Sequence, residues 1–291
     1  MNILVCGGTR FMGRHLVNSL IAKGYSVTIA TRGITPDTFG DSVNRINVNR
    51  LDYDSMKNAF NGKSYDVVYD TLAYCSNGVK ILLDNVECGR YITISTTAVY
   101  KKHIDTREEE FNPYTYPLKW LNREDDIYDE VKRQAECAIC QAYPQTKVVM
   151  ARFPFVIGTD DFTERLKFYV EHILQNKPMN VDNLTAQMAF VRSDEAGKFL
   201  AYLADSDFIG VINGASEQTV SIQNVADYVT LKTGKNPIFS PDGDVAPYNG
   251  ENEYSINVDR AKSLRFSFTT LHEWIYELVD YYIDKVSQNV L

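Results

Sequence analysis

The amino-terminal residues join an apolar segment to a glycine-rich turn, and this junction limits the possible folds more than any other part of the chain. Residues 2–6 are mostly apolar and run directly into the turn GGTRFMG at 7–13. Apolar residues then recur at helical spacing between Phe11 and Ile21, and Gly24 follows as a helix terminator. A strand, a glycine turn and a helix in this order predict the first unit of a parallel sheet.

Strand-like and helix-like segments alternate through the first half of the chain. Further strands are predicted at 26–31, near 45–48, and at 66–70, 90–95 and 147–151. Helices are predicted at 11–23, 54–61, 78–87 and 127–142. Because crossover helices join parallel strands and cover both faces of their sheet, the pattern predicts a doubly wound α/β fold of the Rossmann kind.

The glycine turn has the context that a dinucleotide-binding turn requires. Backbone N–H groups and the helix dipole meet at a strand-to-helix junction, where they favour a bound pyrophosphate. A tight turn without a ligand is the alternative interpretation. The predicted cofactor contacts in the turn are Gly7, Thr9, Arg10, Phe11, Met12 and Gly13.

The end of the second predicted strand indicates which dinucleotide is preferred. An acidic residue there usually holds the ribose 2′-hydroxyl of NAD, whereas an arginine accommodates the 2′-phosphate of NADP. This chain has Thr31-Arg32-Gly33 and no acidic residue at that point. Because a guanidinium pairs well with a phosphate, we predict NADP bound through Arg32, with NAD as the alternative. A merely solvated arginine is the other interpretation.

The pattern of apolar residues loosens after about residue 158. Helices are predicted near 161–175, 193–204, 221–233 and 269–288, and prolines interrupt the loops between them. We expect a dinucleotide-binding Rossmann domain at 1–158. Residues 159–291 are then mainly a smaller substrate-binding lid, with some segments returning to the main sheet.

Charge and cysteine usage limit the partners and the compartment. The net charge is −8, which disfavours nucleic acid and an anionic membrane surface as partners. The amino-terminal segment lacks the basic flank of a signal peptide, so we expect a cytoplasmic protein. The five cysteines and four histidines show no familiar metal or disulfide spacing. Cys137 and Cys140 form a C-x-x-C within a predicted helix, which favours a packing role.

Tyr128 and Lys132 share one face of the predicted helix at 127–142. A nearby ammonium lowers the pKa of a tyrosine, which can then exchange a proton with a hydroxyl or carbonyl while hydride moves to or from a cofactor. The Tyr-x-x-x-Lys spacing occurs five times, but only this copy begins a helix between the fifth and sixth strands. It follows the hydroxyl cluster at 95–97, where Thr96 could bind the reacting oxygen. A packing role for Tyr128 is the alternative.

Taken together, these segments resemble the extended short-chain dehydrogenases of the NAD-dependent epimerase/dehydratase family along nearly the whole chain. The turn at 7–13 is similar to the family's first turn, and ITISTTAVY at 92–100 is similar to its fifth strand. The segments at 151–158, 190–196 and 211–214 resemble later landmarks. The resemblance implies an active-site hydroxyl at Thr96, the acid/base at Tyr128, and at Lys132 a lysine that holds the nicotinamide ribose.

Three departures from the family pattern narrow the range of reactions and substrates that the resemblance implies. Arg10 replaces the usual second glycine of the turn, as in a branch that includes chloroplast stem-loop-binding proteins and reductase-like members. Thr97-Ala98 stands where the sugar dehydratases carry an Asp-Glu pair. The chain therefore lacks the acid and the base of the elimination step that those dehydratases catalyse. The basic residues with which many members grip a nucleotide-sugar diphosphate are not evident between 176 and 190.

The leading hypothesis is an NAD(P)-dependent epimerase or reductase acting on a hydroxyl or carbonyl carbon, with a sugar nucleotide as one candidate substrate. The resemblance also implies a homodimer in which the helices at 78–87 and 127–142 pack against their copies. Two alternatives stay open at this point. One is a non-catalytic protein on the same fold that holds NADP or binds RNA, and the other is a structural dimer with a vestigial site.

Overall fold

The computed structural model describes residues 1–288 and is built around a sheet of seven parallel strands. The strands of the chain are β1 (Asn2–Cys6), β2 (Ser26–Thr31), β3 (Val43–Asn47), β4 (Ser64–Asp70), β5 (Glu87–Thr96), β6 (Val148–Phe153), β7 (Phe155–Ile157), β8 (Pro178–Asn180), β9 (Phe190–Arg192), β10 (Gly210–Asn213), β11 (Ile238–Phe239) and β12 (Asp244–Val245). The helices are α1 (Phe11–Ala22), α2 (Tyr53–Phe60), α3 (Ser76–Leu83), α4 (Tyr128–Ala142), α5 (Arg165–Gln175), α6 (Ser193–Leu203), α7 (Ile222–Thr233), α8 (Asp259–Ser263) and α9 (Leu271–Gln288).

The order of the central strands is β10-β6-β5-β4-β1-β2-β3. All six strands predicted in the first half lie in this sheet, and the predicted doubly wound parallel fold is confirmed. Strand order reverses between β1 and β4, because the chain first builds outward to β3 and then returns to the other side of β1. In such sheets ligands bind outside the carboxyl ends of the strands at this reversal.

Burial explains why these segments form strands and helices. Ile3, Leu4 and Val5 of β1 are fully buried, as expected for a central strand covered on both faces. Helix α1 buries a stripe that includes Leu16 and Leu20 against the sheet. Gly24 follows the helix with φ +76°, a conformation that glycine adopts without a steric penalty.

The second half of the chain contains the four predicted helices, although each begins up to four residues from its predicted start. It also contains two small sheets that the sequence pattern did not predict, β7-β9 and β11-β8-β12. Their strands have only two or three residues, which is too short for a recognisable alternation. The division of the chain at residue 158 stays a prediction.

Two segments from the second half pack against the first half, one in the central sheet and one against helix α1. Strand β10 forms its edge beside β6. Helix α6 crosses α1 so closely that a Cβ atom on Gly197 would lie 2.5 Å from the Cβ atom of His15. Within residues 1–288, no helix combines the length and apolar character needed to cross a membrane.

Candidate active site

The glycine turn links β1 to α1 at the point where the strand order reverses. Gly7 and Gly8 have φ values of +99° and +93°, which strongly favour glycine. A Cβ atom on Gly7 would lie 2.2 Å from Thr71 Oγ1, and one on Gly13 would lie 3.0 Å from the Cα atom of Gly8. The turn therefore brings bare backbone to the strand ends, as a bound pyrophosphate requires.

The first turn of α1 leaves its backbone donors available to a ligand. Arg10 is the residue preceding the helix, and its side chain makes no capping hydrogen bond. The first turn contains no acidic residue that would repel an anion. Phe11 adopts φ +52°, which is uncommon for a bulky residue and marks a strained backbone within the turn. Thr9 and Met12 are partly buried beside it.

Arg32 lies at the carboxyl end of β2, where the adenosine half of a dinucleotide would lie in this fold. Its side chain is exposed and, among residues 1–288, forms no hydrogen bond or ion pair. The neighbouring side chain is an amide, since a Cβ atom on Gly33 would lie 2.9 Å from Asn47 Nδ2. Asp37 is held by Arg45 through contacts of 2.7 and 2.9 Å. The immediate surroundings thus offer a free cation and an amide to a 2′-phosphate.

Thr96 and Tyr128 are brought together by the ends of β5 and α4. Thr96 is the last residue of β5, and Tyr128 is the first residue of α4. The Thr96 hydroxyl is close enough to Tyr128 to act on the pKa of its phenol, and Thr96 Oγ1 accepts the Ala98 N–H at 3.2 Å. Tyr128 is 51% exposed, so a substrate can reach its ring edge. The sequence-predicted hydroxyl and acid/base therefore meet at one point.

Lys132 lies one helical turn beyond Tyr128 and is only 4% exposed. Its Nζ donates to the carbonyl oxygens of Ala73 at 2.7 Å and Ile94 at 2.9 Å. Burial lowers the pKa of Lys132 to about 8, although the charges of Glu136 and Asp70 act in the opposite direction. An ammonium has three donors, so one N–H is left for a ligand such as a ribose hydroxyl.

The pKa of Tyr128 does not follow the expectation from the sequence. Partial burial of the hydroxyl raises the pKa, and the nearby Thr96 hydroxyl and the positive charge of Arg165 only partly oppose this effect. The Lys132 ammonium is directed at backbone carbonyl oxygens rather than at Tyr128. A bound positive nicotinamide ring would be a further charge that favours the phenolate.

A buried ion pair that the sequence analysis missed supports the end of β5. Arg152 and Glu136 are almost fully buried, and their side chains meet at 2.5 and 2.9 Å. Ser95 Oγ donates to Glu136 at 2.5 Å. This network ties α4, β5 and β6 together directly below Thr96. A charged residue inside the apolar strand VVMARF was the available signal.

Aromatic and basic side chains from segments on both sides of residue 158 lie near Tyr128 and form the second wall of the candidate cleft, whose first wall is the Thr96–Tyr128–Lys132 group. The Arg165 guanidinium lies 5.0 Å from the centre of the Phe155 ring and 5.9 Å from that of Tyr248. Lys102 Nζ lies 5.6 Å from the Phe155 ring and forms an ion pair with Glu251. The positive charge of Arg165 is close enough to act on the pKa of Tyr128.

The outer face of α4 is covered by a preceding segment of the same chain. Gln134 accepts the Lys119 N–H at 2.5 Å and donates to the Pro117 carbonyl oxygen at 3.0 Å. Gln141 donates to the carbonyl oxygens of Pro113 and Tyr116, both at 2.7 Å. A second subunit that packs on this side would therefore contact residues 113–121 as well as α4.

The geometry can be compared with known proteins. A family model described as "NAD dependent epimerase/dehydratase family" matches residues 3–213. The "Chloroplast stem-loop binding protein of 41 kDa b, chloroplastic" of Arabidopsis thaliana is 32% identical over an alignment of 114 residues, and the match covers 34% of this chain. The match covers 30% of the relative's own length.

Solved structures with the same fold span the whole chain. A UDP-glucose 4-epimerase from Thermotoga maritima has a TM-score of 0.77 and 18% identity, covering 98% of this chain and 100% of its own. A UDP-glucuronic acid 4-epimerase from Bacillus cereus, solved with UDP-glucuronic acid and NAD, has a TM-score of 0.76, 20% identity and 99% coverage of both chains. A dTDP-glucose 4,6-dehydratase from Bacillus anthracis has a TM-score of 0.72 and 17% identity, covering 97% of this chain and 96% of its own.

At these identities the likeness establishes the fold, whereas the family model reaches from β1 through the turn and the Thr96–Tyr128 pair to β10. On that match, the chain belongs to the NAD-dependent epimerase/dehydratase family.

Proposed function

We propose that the protein is an NADP-preferring reductase or epimerase that acts on a hydroxyl or carbonyl carbon. The observation that carries the proposal is the meeting of Thr96 and Tyr128, with Lys132 one helical turn further on, at the carboxyl end of β5. The glycine turn with Gly7 and Gly13 lies at the carboxyl end of β1 in the same sheet. A cofactor held there and a substrate at Tyr128 would share one cleft.

The site residues would have separate roles in binding and in proton transfer. When bound, the nicotinamide supplies or accepts the hydride. Thr96 would hold the substrate oxygen through its hydroxyl, as an oxyanion donor does. Tyr128 would take the proton from a substrate hydroxyl as a carbonyl forms, or return it when the carbonyl is reduced. Lys132 would hold the nicotinamide ribose with its free N–H.

Several finer points of the proposal come from relatives and from the sequence. A sugar nucleotide stays one candidate substrate, because the Thermotoga maritima and Bacillus cereus structures were solved with UDP-glucose and UDP-glucuronic acid. NADP is preferred over NAD because of Arg32, although the structures of relatives contain NAD. A homodimer and a cytoplasmic location are also proposed, together with a dinucleotide domain at 1–158 and a substrate-binding part at 159–291.

A titration of the purified protein with NADPH and with NADH, followed by nicotinamide fluorescence, tests the proposal. We expect saturable binding with NADPH favoured. The absence of binding by either dinucleotide would exclude both the reductase and the epimerase. A substrate screen with the Tyr128→Phe variant alongside then tests catalysis, since this variant should keep the cofactor and lose turnover.

The similarity to a stem-loop binding protein supports a second candidate function, in which the chain holds NADP or binds RNA without turnover. The net charge of −8 weighs against an RNA partner. RNA binding that weakens steeply with added salt, together with unchanged activity in Tyr128→Phe, would favour this second candidate. Binding of NADPH followed by Tyr128-dependent turnover would favour the first.

A further inference from the structure

Arg165 is a basic residue in the cleft whose charge has no partner. Within residues 1–288, its only side-chain hydrogen bond runs from Nε to Thr163 Oγ1 at 3.0 Å, and this hydroxyl donates in turn to Asp161 at 2.6 Å. Among residues 1–288, no carboxylate lies within 4.0 Å of its guanidinium. The guanidinium instead lies over the rings of Phe155 and Tyr248. Stacking on rings fixes its position and leaves most of its N–H donors available.

Arg165 is the first residue of α5, where a positive charge is electrostatically unfavourable. A cation in the first turn of a helix opposes the helix dipole, and this first turn contains no acidic residue to offset it. Glu164, which precedes the helix, makes no capping hydrogen bond with its side chain. The first backbone N–H groups of α5 therefore add to the positive potential at the Arg165 guanidinium.

A buried hydroxyl without a partner lies beside Arg165. Tyr248 is only 4% exposed, and its hydroxyl forms no hydrogen bond within the described part of the chain. The Arg165 guanidinium lies 5.9 Å from the centre of the Tyr248 ring. Burial and the negative charge of Asp161 raise the pKa of this hydroxyl, and the positive charge of Arg165 opposes the change. An unsatisfied buried hydroxyl is costly, and a ligand acceptor would remove that cost.

The other basic residues on this wall are already paired. Lys102 forms an ion pair with Glu251, and Arg192 donates to Asp194 at 2.6 Å. One free guanidinium matches one anionic group, whereas a nucleotide diphosphate brings two phosphates. The positive charge of Arg165 also acts on the pKa of Tyr128, so the two side chains serve the same region.

We propose that the substrate is a hydroxy or oxo compound with a single anionic group, a carboxylate or a phosphate, that is bound between the Arg165 guanidinium and the Tyr248 hydroxyl. The proposal rests on the function proposed above and narrows its substrate class. It favours a small acid or phosphate ester over a sugar nucleotide. Arg165 is then a specificity-determining residue, and Tyr128 acts on the carbon next to the group that Arg165 holds.

Anion binding to the full chain tests this site without a known substrate. Inorganic phosphate and acetate are titrated separately by calorimetry into the wild type, Arg165→Gln and Arg192→Gln. We expect one of the two anions to bind the wild type and to bind Arg165→Gln at least about tenfold more weakly, because hydrogen bonds to a charged group are lost. The anion that binds identifies the group. Arg192→Gln, whose arginine is paired with Asp194, should bind as the wild type does.

Equal binding to the wild type and Arg165→Gln, or no binding of either anion, would overturn the proposal. Phosphate that binds at the glycine turn instead would still bind to the Arg165→Gln variant, and this result would distinguish the two sites. If Arg165→Gln does not fold, Tyr248→Phe removes only one oxygen atom and should weaken the same anion, whereas wild-type affinity in that variant contradicts the site. These titrations need neither NADPH nor turnover, so their failure is distinguishable from failure of the dinucleotide titration.

Discussion

Thr96 and Tyr128 lie next to each other although one residue ends a central strand and the other begins a helix. They meet because β5 and α4 are held together below them by Ser95, Glu136 and Arg152. Thr96 accepts a backbone N–H with one lone pair, and its single hydroxyl hydrogen is available to the substrate oxygen in the role proposed above. The two hydroxyl groups are thus placed where the proposed reaction needs them.

Replacement of Tyr128 by phenylalanine should reduce turnover by about 100-fold or more, the usual contribution of a general acid/base. The affinity for NADPH should change little, because Lys132 and the glycine turn stay in place. Steady-state rates and NADPH titrations measure the two effects separately. Tyr143→Phe is a matched control, since Tyr143 has the same spacing to a lysine but binds Asp84 at 2.6 Å, away from the cleft. Full activity in Tyr128→Phe would contradict the assigned role.

Arg32→Ala should weaken NADPH binding by about tenfold and leave NADH binding nearly unchanged. The reason is that Arg32 has no protein partner, so its loss removes an interaction with the 2′-phosphate alone. Nicotinamide fluorescence titrations with both dinucleotides provide the measurement. Arg45→Ala serves as the control, because Arg45 is already occupied by Asp37. A parallel loss of both dinucleotides in Arg32→Ala would indicate damage to the fold rather than loss of a phosphate contact.

The parallel sheet was predictable because it depends on local sequence patterns, and the same patterns brought the proposed site residues to one edge of it. The apolar segment before Gly7, the spacing of Tyr128 and Lys132, and the hydroxyl at Thr96 are all readable from residues close together in the chain. Their meeting at one edge follows from the rule that ligands bind at the carboxyl ends of parallel strands.

The remaining features depend on contacts between distant segments and were not predictable in this way. Arg165 acquires its place over Phe155 and Tyr248 only when three separate segments fold together. The raised pKa of Tyr128 likewise depends on how much of its hydroxyl is buried, which the helical spacing does not reveal. The small sheets of the second half have strands too short to leave a pattern.

Gly7→Ala should destabilise the protein by about 2 kcal/mol and abolish NADPH binding. The methyl group would collide with Thr71 Oγ1 at 2.2 Å, and φ at this position is +99°. Gly62→Ala is the matched control, because Gly62 also has positive φ but a Cβ atom there would meet nothing within 4 Å. Urea unfolding of both variants separates the cost of the backbone conformation from the cost of the collision. Equal destabilisation by the two variants would show that the approach to Thr71 is not tight.

The stability of the protein should depend on pH through Lys132. Burial lowers the pKa of this lysine from 10.5 to about 8, so the unfolded chain binds the proton more tightly than the folded protein does. The resulting penalty is fully present below pH 8 and is relieved as pH rises from about 8 to 10.5. At about 1.4 kcal/mol for each pH unit, the relief amounts to about 3 kcal/mol.

The variant Lys132→Met lacks this titration, although it also loses the hydrogen bonds to Ala73 and Ile94 at every pH. The free energy of unfolding of the wild type should therefore rise relative to that of the variant between pH 8 and 10.5, by up to about 3 kcal/mol. Urea unfolding of both proteins at half-unit pH intervals provides the comparison, and tyrosine titrations shared by both cancel in the difference. A difference that stays constant across this range would mean that Lys132 keeps an ordinary pKa and is more hydrated than its two carbonyl contacts indicate.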